Sequence, residues 1–514
     1  MSDSVSSRLS FRQSRLWRWS RNLAIGFFGL IALLMAVCLF ENWRGARAWE
    51  RLQAEMQAKG EKLDYRDFIP AKVPDADNFA ATPLLVPLLD YAGNVPGNDK
   101  WRDPEGKQRI DALSGAFSNS RDKKSPPLGV WQIGQSVVLE DWQEYFVGHT
   151  NYPGVTRGAD AAQTVLAALR RFDGELTELQ SASARPHSVF PVHYEENFYA
   201  LLPHLATFKG ISSVVRLRAL ARLQAGQKDE AVQDVRLTIR LAESVAAEPF
   251  IISQLVRIAI LQTAVQPVWE GCVRHAWTDA QLAELQTALA QIKLLADYGR
   301  SMRGERAFNN AAMDLMRTGK YRLSELVGDG SSPASSIVDG GRLLVSGWIR
   351  QNQIVINRLH QDRTIPLVDA DKHRVFVPLA REAEDMPELR EKTLYNIFAK
   401  LLMPAVTKLA NKFANCQASL DLARIACALE RHRLAHGEYP AQLDPLVPRF
   451  IEKIPTDVIT GELLKYRREA DGTFALWSVG WNERDDQGAV GLAKSGKSQD
   501  PLTGDWVWSG NPAR

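Results

Sequence analysis

The sequence has few cysteines, little net charge and none of several motifs that mark common enzyme classes. Four cysteines in 514 residues are too few for a disulfide scaffold. A formal net charge of +3 argues against a protein built around a basic nucleic-acid surface. The patterns G-x-S-x-G, G-x-G-x-x-G, C-x-x-C and H-E-x-x-H do not occur. The sequence therefore marks no nucleophile elbow, dinucleotide fold, redox dithiol or zinc-protease helix.

Spacing limits the disulfides that the four cysteines allow. Cys38 lies in an apolar run, and Cys416 and Cys427 lie on one predicted helix. Their separation along that helix is about 16 Å, which is too far to bridge. The pattern therefore allows at most one disulfide, formed by Cys272.

The charge that is present lies mainly at the N-terminus. Residues 1–22 carry five arginines and one aspartate, a net +4 that leaves −1 for the rest of the chain. Residues 23–40 contain no charged side chain, and eleven of the eighteen are Leu, Ile, Phe or Val. As a helix they span about 27 Å, close to the ~30 Å hydrocarbon layer of a bilayer. The pattern predicts a cytoplasmic basic tail (1–22), one transmembrane helix (23–40) in a bacterial inner membrane, and a periplasmic remainder.

The alternative for the N-terminus is a cleaved signal peptide that ends at the weak A-x-A site 46–48. The apolar run is longer than the about 7 to 15 residues usual in signal peptides. Trp17 and Trp19 precede the run, and Trp43 and Trp49 follow it, in the positions of interfacial aromatic belts. These features favour a retained membrane anchor.

The remainder is predicted to be mainly α, a helical bundle closed by a small α+β module. The predicted ranges are an irregular, partly helical segment (41–158), a helical domain (159–327), a flexible loop (328–341), a connecting segment (342–393), and a long helix with an α+β module (394–514). Helical patterns on either side of Gly226 resemble one tetratricopeptide-repeat helix pair, whereas a solenoid needs about three units. Thr278 and Gln281 predict a helix-starting capping box.

The last 120 residues carry clear local signals. A long helix from about 394 to 435 is expected to end at Gly437, with Pro440 beyond it. Apolar and polar residues alternate in 463–468 and 473–479, on either side of the turn sequence ADG. This alternation predicts a β-hairpin.

Two groups of histidines raise the question of a site. His432 and His436 are four residues apart and share a helical face, as in zinc sites, but no third ligand is evident and histidines in a last turn also suit the helix dipole. The stretch HYEENFY (193–199) with His204 brings together imidazoles, carboxylates and phenols that could line a hydrolase pocket. No motif marks a nucleophile there, and interhelical packing explains the stretch equally well.

An acidic loop follows the predicted hairpin. In WSVGWNERDDQG, Asp485 and Asp486 are flanked by glycines and could supply oxygen ligands to Ca²⁺, with help from Asn482 or Glu483. The alternative is a solvated hairpin loop. We predict Asp485 and Asp486 as the candidate metal ligands and calcium as the candidate cofactor.

The stretch GLAKSGKS, Gly491–Ser498, fits the P-loop pattern letter for letter. A P-loop needs a buried strand before it and a helix after it, because the helix N-terminus holds the phosphates. Here a polar loop precedes the stretch, and Pro501 and Gly504 soon follow it. We therefore expect no nucleotide binding at this stretch. The low net charge of +3 separately predicts no nucleic-acid partner.

The C-terminal region resembles the soluble part of the major pseudopilin of type II secretion systems. The features that carry the resemblance are a G-x-Y-P turn (437–440), an L-x-x-L-x-P segment (443–448), an I-P-x-D step (454–457), a G-x-x-x-x-Y strand (461–466) and S-x-G before the acidic loop (478–480). In that family the acidic loop binds calcium, which implies the same role for Asp485 and Asp486. The chain departs from a prepilin at its anchor, where Ile31 stands in place of the family's glutamate.

As a whole, with its segment after the anchor and GDWVW near the end, the chain resembles an uncharacterised bacterial family of membrane-anchored proteins. That resemblance implies an architecture and no activity. We expect a membrane-anchored periplasmic protein that acts as an interaction or scaffold protein of the cell envelope. The alternatives are an envelope hydrolase with its site in the helical domain, and an accessory component of a pilus or secretion system.

Overall fold

The computed structural model describes residues 3–91, 101–117, 124–158, 160–320, 346–391 and 393–510. These residues are mainly helical, with small antiparallel sheets and an apolar N-terminal helix, as predicted. The flexible loop predicted at 328–341 lies outside the described residues.

The α-helices of the described residues lie between Asp3 and His436. They are α1 (Asp3–Ala58), α2 (Pro104–Ser114), α3 (Leu139–Phe146), α4 (Ala161–Leu169), α5 (Asp173–Ala182), α6 (Pro203–Gln224), α7 (Lys228–Glu243), α8 (Ile251–Val273), α9 (Asp279–Ala290), α10 (Leu294–Thr318), α11 (Ser346–Leu359), α12 (Val377–Glu384), α13 (Ile397–Thr407) and α14 (Leu409–His436). The strands are β1 (Val368–Asp369), β2 (Arg374–Val375), β3 (Lys465–Arg468), β4 (Phe474–Ser478), β5 (Val490–Leu492), β6 (Gln499–Gly504) and β7 (Trp506–Ser509).

The chain forms two compact units, and each is assembled from three separate stretches of sequence. Unit 1 contains Met1–Tyr65, Arg306–Leu359 and Pro387–Met403, and unit 2 contains Arg66–Glu305, His360–Met386 and Pro404–Arg514. Residues that are distant in sequence therefore belong to the same unit.

In unit 1, helix α1 does not end with its apolar segment. It continues to Ala58, and its second half packs on α11. The core there is formed by Trp49, Leu52 and Met56, with Ile354 of α11 beside them. Leu52 and Met56 are four residues apart and so occupy one face of the helix. The first part of the predicted irregular segment is thus a regular helix.

In unit 2, the helix pair α6 and α7 is joined at Gly226, whose φ is +79°. A buried ion pair links the two helices, because Arg218 Nε of α6 lies 3.1 Å from each carboxylate oxygen of Asp234 of α7. Arg222 of α6 donates to the same carboxylate at 2.8 Å. A buried charge pair of this kind is costly to break from one side, by about 3–5 kcal/mol.

Helices α8 and α14 of unit 2 run side by side in the same direction. Gln262 of α8 donates to Ser419 of α14 at 2.9 Å. Two residues after the end of α8, His275 Nδ1 lies 2.8 Å from Glu430 Oε1 of α14. The neighbouring Cys427 thiol of α14, together with burial, raises the pKa of Cys272 of α8. Both cysteines are free, so Cys272 does not form the one disulfide that the sequence allows.

The C-terminal part of unit 2 contains the predicted hairpin. Strands β3 and β4 pair antiparallel with Tyr466 opposite Leu476, and β7 adds to the other side of β4 with Trp508 opposite Leu476. The predicted long helix is two helices, α13 and α14, and α14 ends at His436 where Gly437 adopts φ +84°. The capping box predicted at Thr278 is also present.

Candidate functional site

The acidic loop after β4 holds its two aspartates in different local contacts. Asp485 Oδ1 accepts from Trp477 Nε1 at 3.0 Å and from the Gln487 N–H at 2.9 Å. Asp486 Oδ2 accepts from Asn482 Nδ2 at 2.7 Å. Both aspartates are exposed. Each carboxylate therefore stabilises the loop itself.

A third carboxylate, missed in the sequence, lies at the same loop. Asp505 is buried, and it accepts from the N–H groups of Asp486 at 3.2 Å and Gly488 at 2.7 Å. Burial raises the pKa of Asp505, the two N–H groups oppose this, and the charges of Asp485 and Asp486 raise it further. The sequence signal for this residue was the GDWVW stretch near the end of the chain.

The acidic loop supplies the right type of ligand for calcium, because Ca²⁺ prefers carboxylate oxygens. Within the described ranges, however, no three His, Cys, Asp or Glu side chains group so as to hold a metal ion. All residues of the acidic loop are described, and the carboxylates of Asp485 and Asp486 accept hydrogen bonds from N–H groups. Calcium at Asp485 and Asp486 stays a prediction.

The P-loop-like stretch Gly491–Ser498 lies in a second hairpin. Strand β5, which includes the first two residues of the stretch, pairs antiparallel with β6 after it, with Leu492 opposite Gln499. The turn is closed by the Ala493 N–H, which donates to the Ser498 carbonyl at 2.9 Å. A strand thus follows the lysine of the motif where a P-loop has a helix.

His432 and His436 share one face of the last turns of α14, as their spacing predicts. Their ring centroids are 4.2 Å apart, and both rings contact Phe450. Each Nδ1 donates to a main-chain carbonyl, that of Glu438 for His432 and that of His432 for His436. The pair thus has packing and hydrogen-bonding contacts at the end of the helix.

The HYEENFY stretch and His204 separate into two environments. His193, which is partly exposed, is paired at 3.0 Å with the exposed Glu195. His204 is buried instead, with Nε2 2.7 Å from Glu248 Oε1, and the ring of Phe190 stacks on it at 4.5 Å. The imidazoles and carboxylates that the sequence brought together therefore do not converge.

Behind that stacked ring is a buried polar group that the sequence did not indicate. Glu248 accepts from His204 through one oxygen and from the Ser253 hydroxyl through the other, at 2.5 Å. Glu248 thus lies between the histidine and the serine, whereas a nucleophilic triad needs the histidine in the middle. Burial, assisted by the charge of Glu248, raises the pKa of the adjacent Tyr194.

A cavity of about 530 Å³ in unit 2 is lined by two distant stretches of sequence, 69–90 and 189–194. Its walls are largely apolar and include Leu85, Val86, Leu89, Val189, Phe190 and Val192. His193 lies at this cavity, but Glu195 and Glu196 do not line it. The volume falls in the ligand-binding range of roughly 300–1,000 Å³.

Asn78 holds the two walls of this apolar cavity together. Its side chain donates to the Val189 carbonyl at 3.0 Å and accepts from the Val189 N–H at 2.8 Å. Main-chain bonds between Phe79 and His187 and between His187 and Asp77 extend the pairing. Sequence patterns missed the cavity because the pairing joins segments more than a hundred residues apart.

A second, polar depression of about 720 Å³ lies between α5, α7 and α9. The charged groups at its rim are paired, since Arg236 lies 2.5 Å from Glu284 and Arg240 donates to the carbonyls of Arg185 and His187. This polar groove therefore has fewer free groups for a ligand than its size implies.

Comparison of the chain with protein-family models, with curated proteins and with solved structures finds no match.

Proposed function

We propose that this protein is anchored in a bacterial inner membrane by α1, with a cytoplasmic N-terminus and a periplasmic body that binds a partner protein. The observation that carries the proposal is the apolar segment of α1. Its most apolar 18-residue window is 0% buried, although the same helix is well packed after Glu41. An exposed apolar segment of this length requires an apolar surrounding, and a bilayer supplies one.

The apolar cavity supports binding over catalysis. Its lining is mainly aliphatic and aromatic, which suits an apolar side chain of a partner segment. The hydrolase alternative would need a nucleophile beside a base. The buried Ser253 donates to Glu248 instead, and the partly exposed His193 pairs with Glu195.

The two resemblances extend this proposal. We infer that α6 and α7 form a tetratricopeptide-like helix pair, supported by their adjacency and by the left-handed Gly226 at the turn. We infer also that α14 and the β3–β4–β7 sheet form a pseudopilin-like module. Motif residues contact one another there: Tyr466 OH donates to the Pro440 carbonyl at 2.6 Å, and Asp457 accepts from Ser478 at 2.9 Å.

For the acidic loop we retain the calcium proposal, with Asp505 as a third carboxylate beside Asp485 and Asp486. The test is titration of the full chain with Ca²⁺, read by calorimetry and by thermal unfolding. Binding that is lost in Asp485→Asn and Asp486→Asn would support it. Equal unfolding temperatures with Ca²⁺ and with a chelator would exclude it.

The binding proposal is tested at the apolar cavity. A photoreactive amino acid placed at Val86, a partly exposed cavity residue, is expected to crosslink the full-length protein to a discrete partner in native membranes. Ala81→Phe should fill the cavity and abolish the adduct, whereas Ala288→Phe, which fills the polar groove, should leave it. An adduct that survives Ala81→Phe would contradict the proposal.

Identification of the crosslinked partner distinguishes the scaffold proposal from the remaining alternative. Pilin-like subunits would favour an accessory component of a pilus or secretion system, and other envelope proteins would favour a scaffold.

A further inference from the structure

The apolar segment of α1 ends abruptly, and the position of that end locates the surface of the bilayer. Side chains from Trp17 to Phe40 are almost all exposed, whereas Glu41 is buried. Beyond Glu41 the helix packs in unit 1 through Trp49 and Leu52. If α1 is the proposed anchor, the lipid headgroups lie close to residues 40–44, because no charged side chain occurs between Leu23 and Phe40.

Helix α11 meets α1 at this level. The Gly347 N–H donates to Asn42 Oδ1 at 2.6 Å. A Cβ on Gly45 would lie 2.7 Å from the Gly347 carbonyl oxygen, so the two backbones approach more closely than any larger residue would allow. Helix α11 is therefore held tightly against α1 where α1 leaves the proposed membrane.

The segment that leads into α13 lies at the same level of unit 1. The Arg44 guanidinium lies 5.3 Å from the centroid of the Tyr395 ring. Asn352 of α11 fixes the segment, since it donates to the Leu394 carbonyl at 2.8 Å and accepts from the Phe398 N–H at 3.0 Å. The start of α13 is thus positioned about one helical turn beyond the apolar part of α1.

This segment has two unlike faces. Phe398, Ala399 and Met403 are buried in unit 1. Leu394 and Leu401 are 63% and 60% exposed, and Trp43 of α1 is 59% exposed. Several exposed large apolar side chains on two adjoining segments are unusual on a water-facing surface and mark an interaction site.

Charged and aromatic groups accompany the exposed leucines. Lys400 is exposed beside Leu401, and its Nζ donates to the Arg390 carbonyl at 3.0 Å. Tyr395 has a partly exposed ring. Tyrosine, tryptophan and lysine around an apolar face are typical of segments that lie in the headgroup region, with the apolar face about 5–10 Å deep.

We infer that Leu394–Leu401 with Trp43 is a second membrane-contacting surface, which inserts into the periplasmic face of the bilayer that α1 crosses. This inference rests on the proposed anchor. Lipid is the expected occupant because the Trp43 ring lies 6.0 Å from the ring of Phe40, the last residue of the apolar segment, and the neighbouring Arg44 contacts Tyr395 of the second segment. As a consequence, the part of unit 1 that follows the apolar segment lies on the membrane surface.

The test uses the full-length protein in lipid nanodiscs whose acyl chains carry bromine, a contact quencher of fluorescence. Single cysteines labelled with bimane replace Leu401, Leu34 or Lys59 in a Cys38→Ser background, where the other native cysteines are buried. Leu34 lies within the anchor. Lys59 lies about 27 Å along the α1 axis beyond Glu41 and reports on a position outside the bilayer.

We expect loss of fluorescence at Leu401 and Leu34 and none at Lys59. Quenching at Leu34 without quenching at Leu401 would overturn this inference and leave the anchor intact. Absence of quenching at Leu34 would instead refute the anchor on which it rests. Quenching at Lys59 would show that unit 1 is immersed as a whole, and would also overturn the inference. Leu401 is largely exposed, so its replacement removes little packing.

Discussion

Two helices in the described part of the chain are long and apolar enough to cross a membrane, and their surroundings differ. The most apolar window of Trp17–Ala58 in α1 is 0% buried, whereas that of α8, Ile251–Val273, is 61% buried. Length and composition alone do not separate an anchor from a core helix. Burial and the placement of polar groups identify α8 as a core helix.

The polar residues of α8 show why it belongs in a protein core. Arg257 is fully buried and pairs with Glu243 at 2.8 Å and with Asp297 at 2.7 Å. Gln266 accepts from the Trp131 N–H at 2.7 Å and donates to the Gln135 carbonyl at 3.0 Å. Buried polar groups of this kind are stable only with partners, and α8 finds them in unit 2. Residues 23–40 of α1 carry no charged side chain that needs one.

The largest expected effect comes from a charge placed in α8. Leu261 is fully buried, and Leu261→Arg leaves an unpaired cation in the core, which should cost at least about 3–5 kcal/mol of the free energy of unfolding. We expect loss of the cooperative thermal transition by circular dichroism. Leu30→Arg in the exposed part of α1 is the matched control and should leave the transition unchanged. Equal destabilisation by both variants would contradict the distinction between the helices.

Membrane attachment, in contrast, is expected to be lost when charges are placed in α1. Each arginine at the centre of a membrane helix costs about 2.5–3.5 kcal/mol, so Leu30→Arg with Leu34→Arg should offset the insertion free energy of α1. Carbonate extraction should then release the protein from the membrane fraction, whereas Leu30→Ala with Leu34→Ala should remain attached. Retention of the double arginine variant in the membrane would contradict anchoring by α1.

A smaller effect is expected when one polar group of α8 loses its partner. Gln266→Leu leaves the Trp131 N–H without its acceptor, and the free energy of unfolding should fall by about 1–3 kcal/mol. Gln53→Leu, at an exposed position of α1, should change it little. Denaturant unfolding of the two variants measures the difference. A loss at Gln53 equal to that at Gln266 would show that α1 is packed where we describe it as exposed.

The smallest expected effect concerns pH. Burial raises the pKa of Glu270 in α8, although Gln266, the Val137 N–H and Arg274 oppose the shift. The folded state then binds a proton more tightly than the unfolded state, so stability falls as pH rises from the ordinary carboxyl value toward the folded value. Glu270→Gln should reduce this fall, which unfolding temperatures between pH 4 and 8 would reveal. An unchanged pH profile would rule out Glu270 as its source.

Local features of the fold follow from the sequence, and the assembly does not. The hairpin around Gly472, the capping box at Thr278 and the stop at Gly437 each depend on residues a few positions apart, so their chemistry is readable in order along the chain. Unit 1 joins α1 to α11 and α13 across hundreds of residues. No periodicity in a single segment encodes which distant helix covers it.

The sites show the same limit. The acidic loop was found because Asp485 and Asp486 are adjacent, whereas Asp505 was missed because only the fold brings it there. The HYEENFY stretch shows the opposite failure, because closeness in sequence predicted a common site that does not form. His193 and His204 lie in different environments. The apolar cavity depends on Asn78 pairing with Val189, and nothing in either segment alone indicates the other.

The most direct test of the central claim is the location of the body relative to the membrane. Ala470→Cys places a thiol at an exposed turn of unit 2, and a membrane-impermeant maleimide is applied to spheroplasts that contain the full-length protein. The wild type is the control, because Cys272, Cys416 and Cys427 are buried and Cys38 lies in the apolar segment. We predict labelling of Ala470→Cys without permeabilisation. Labelling only after the membrane is permeabilised would place the body in the cytoplasm and contradict the account.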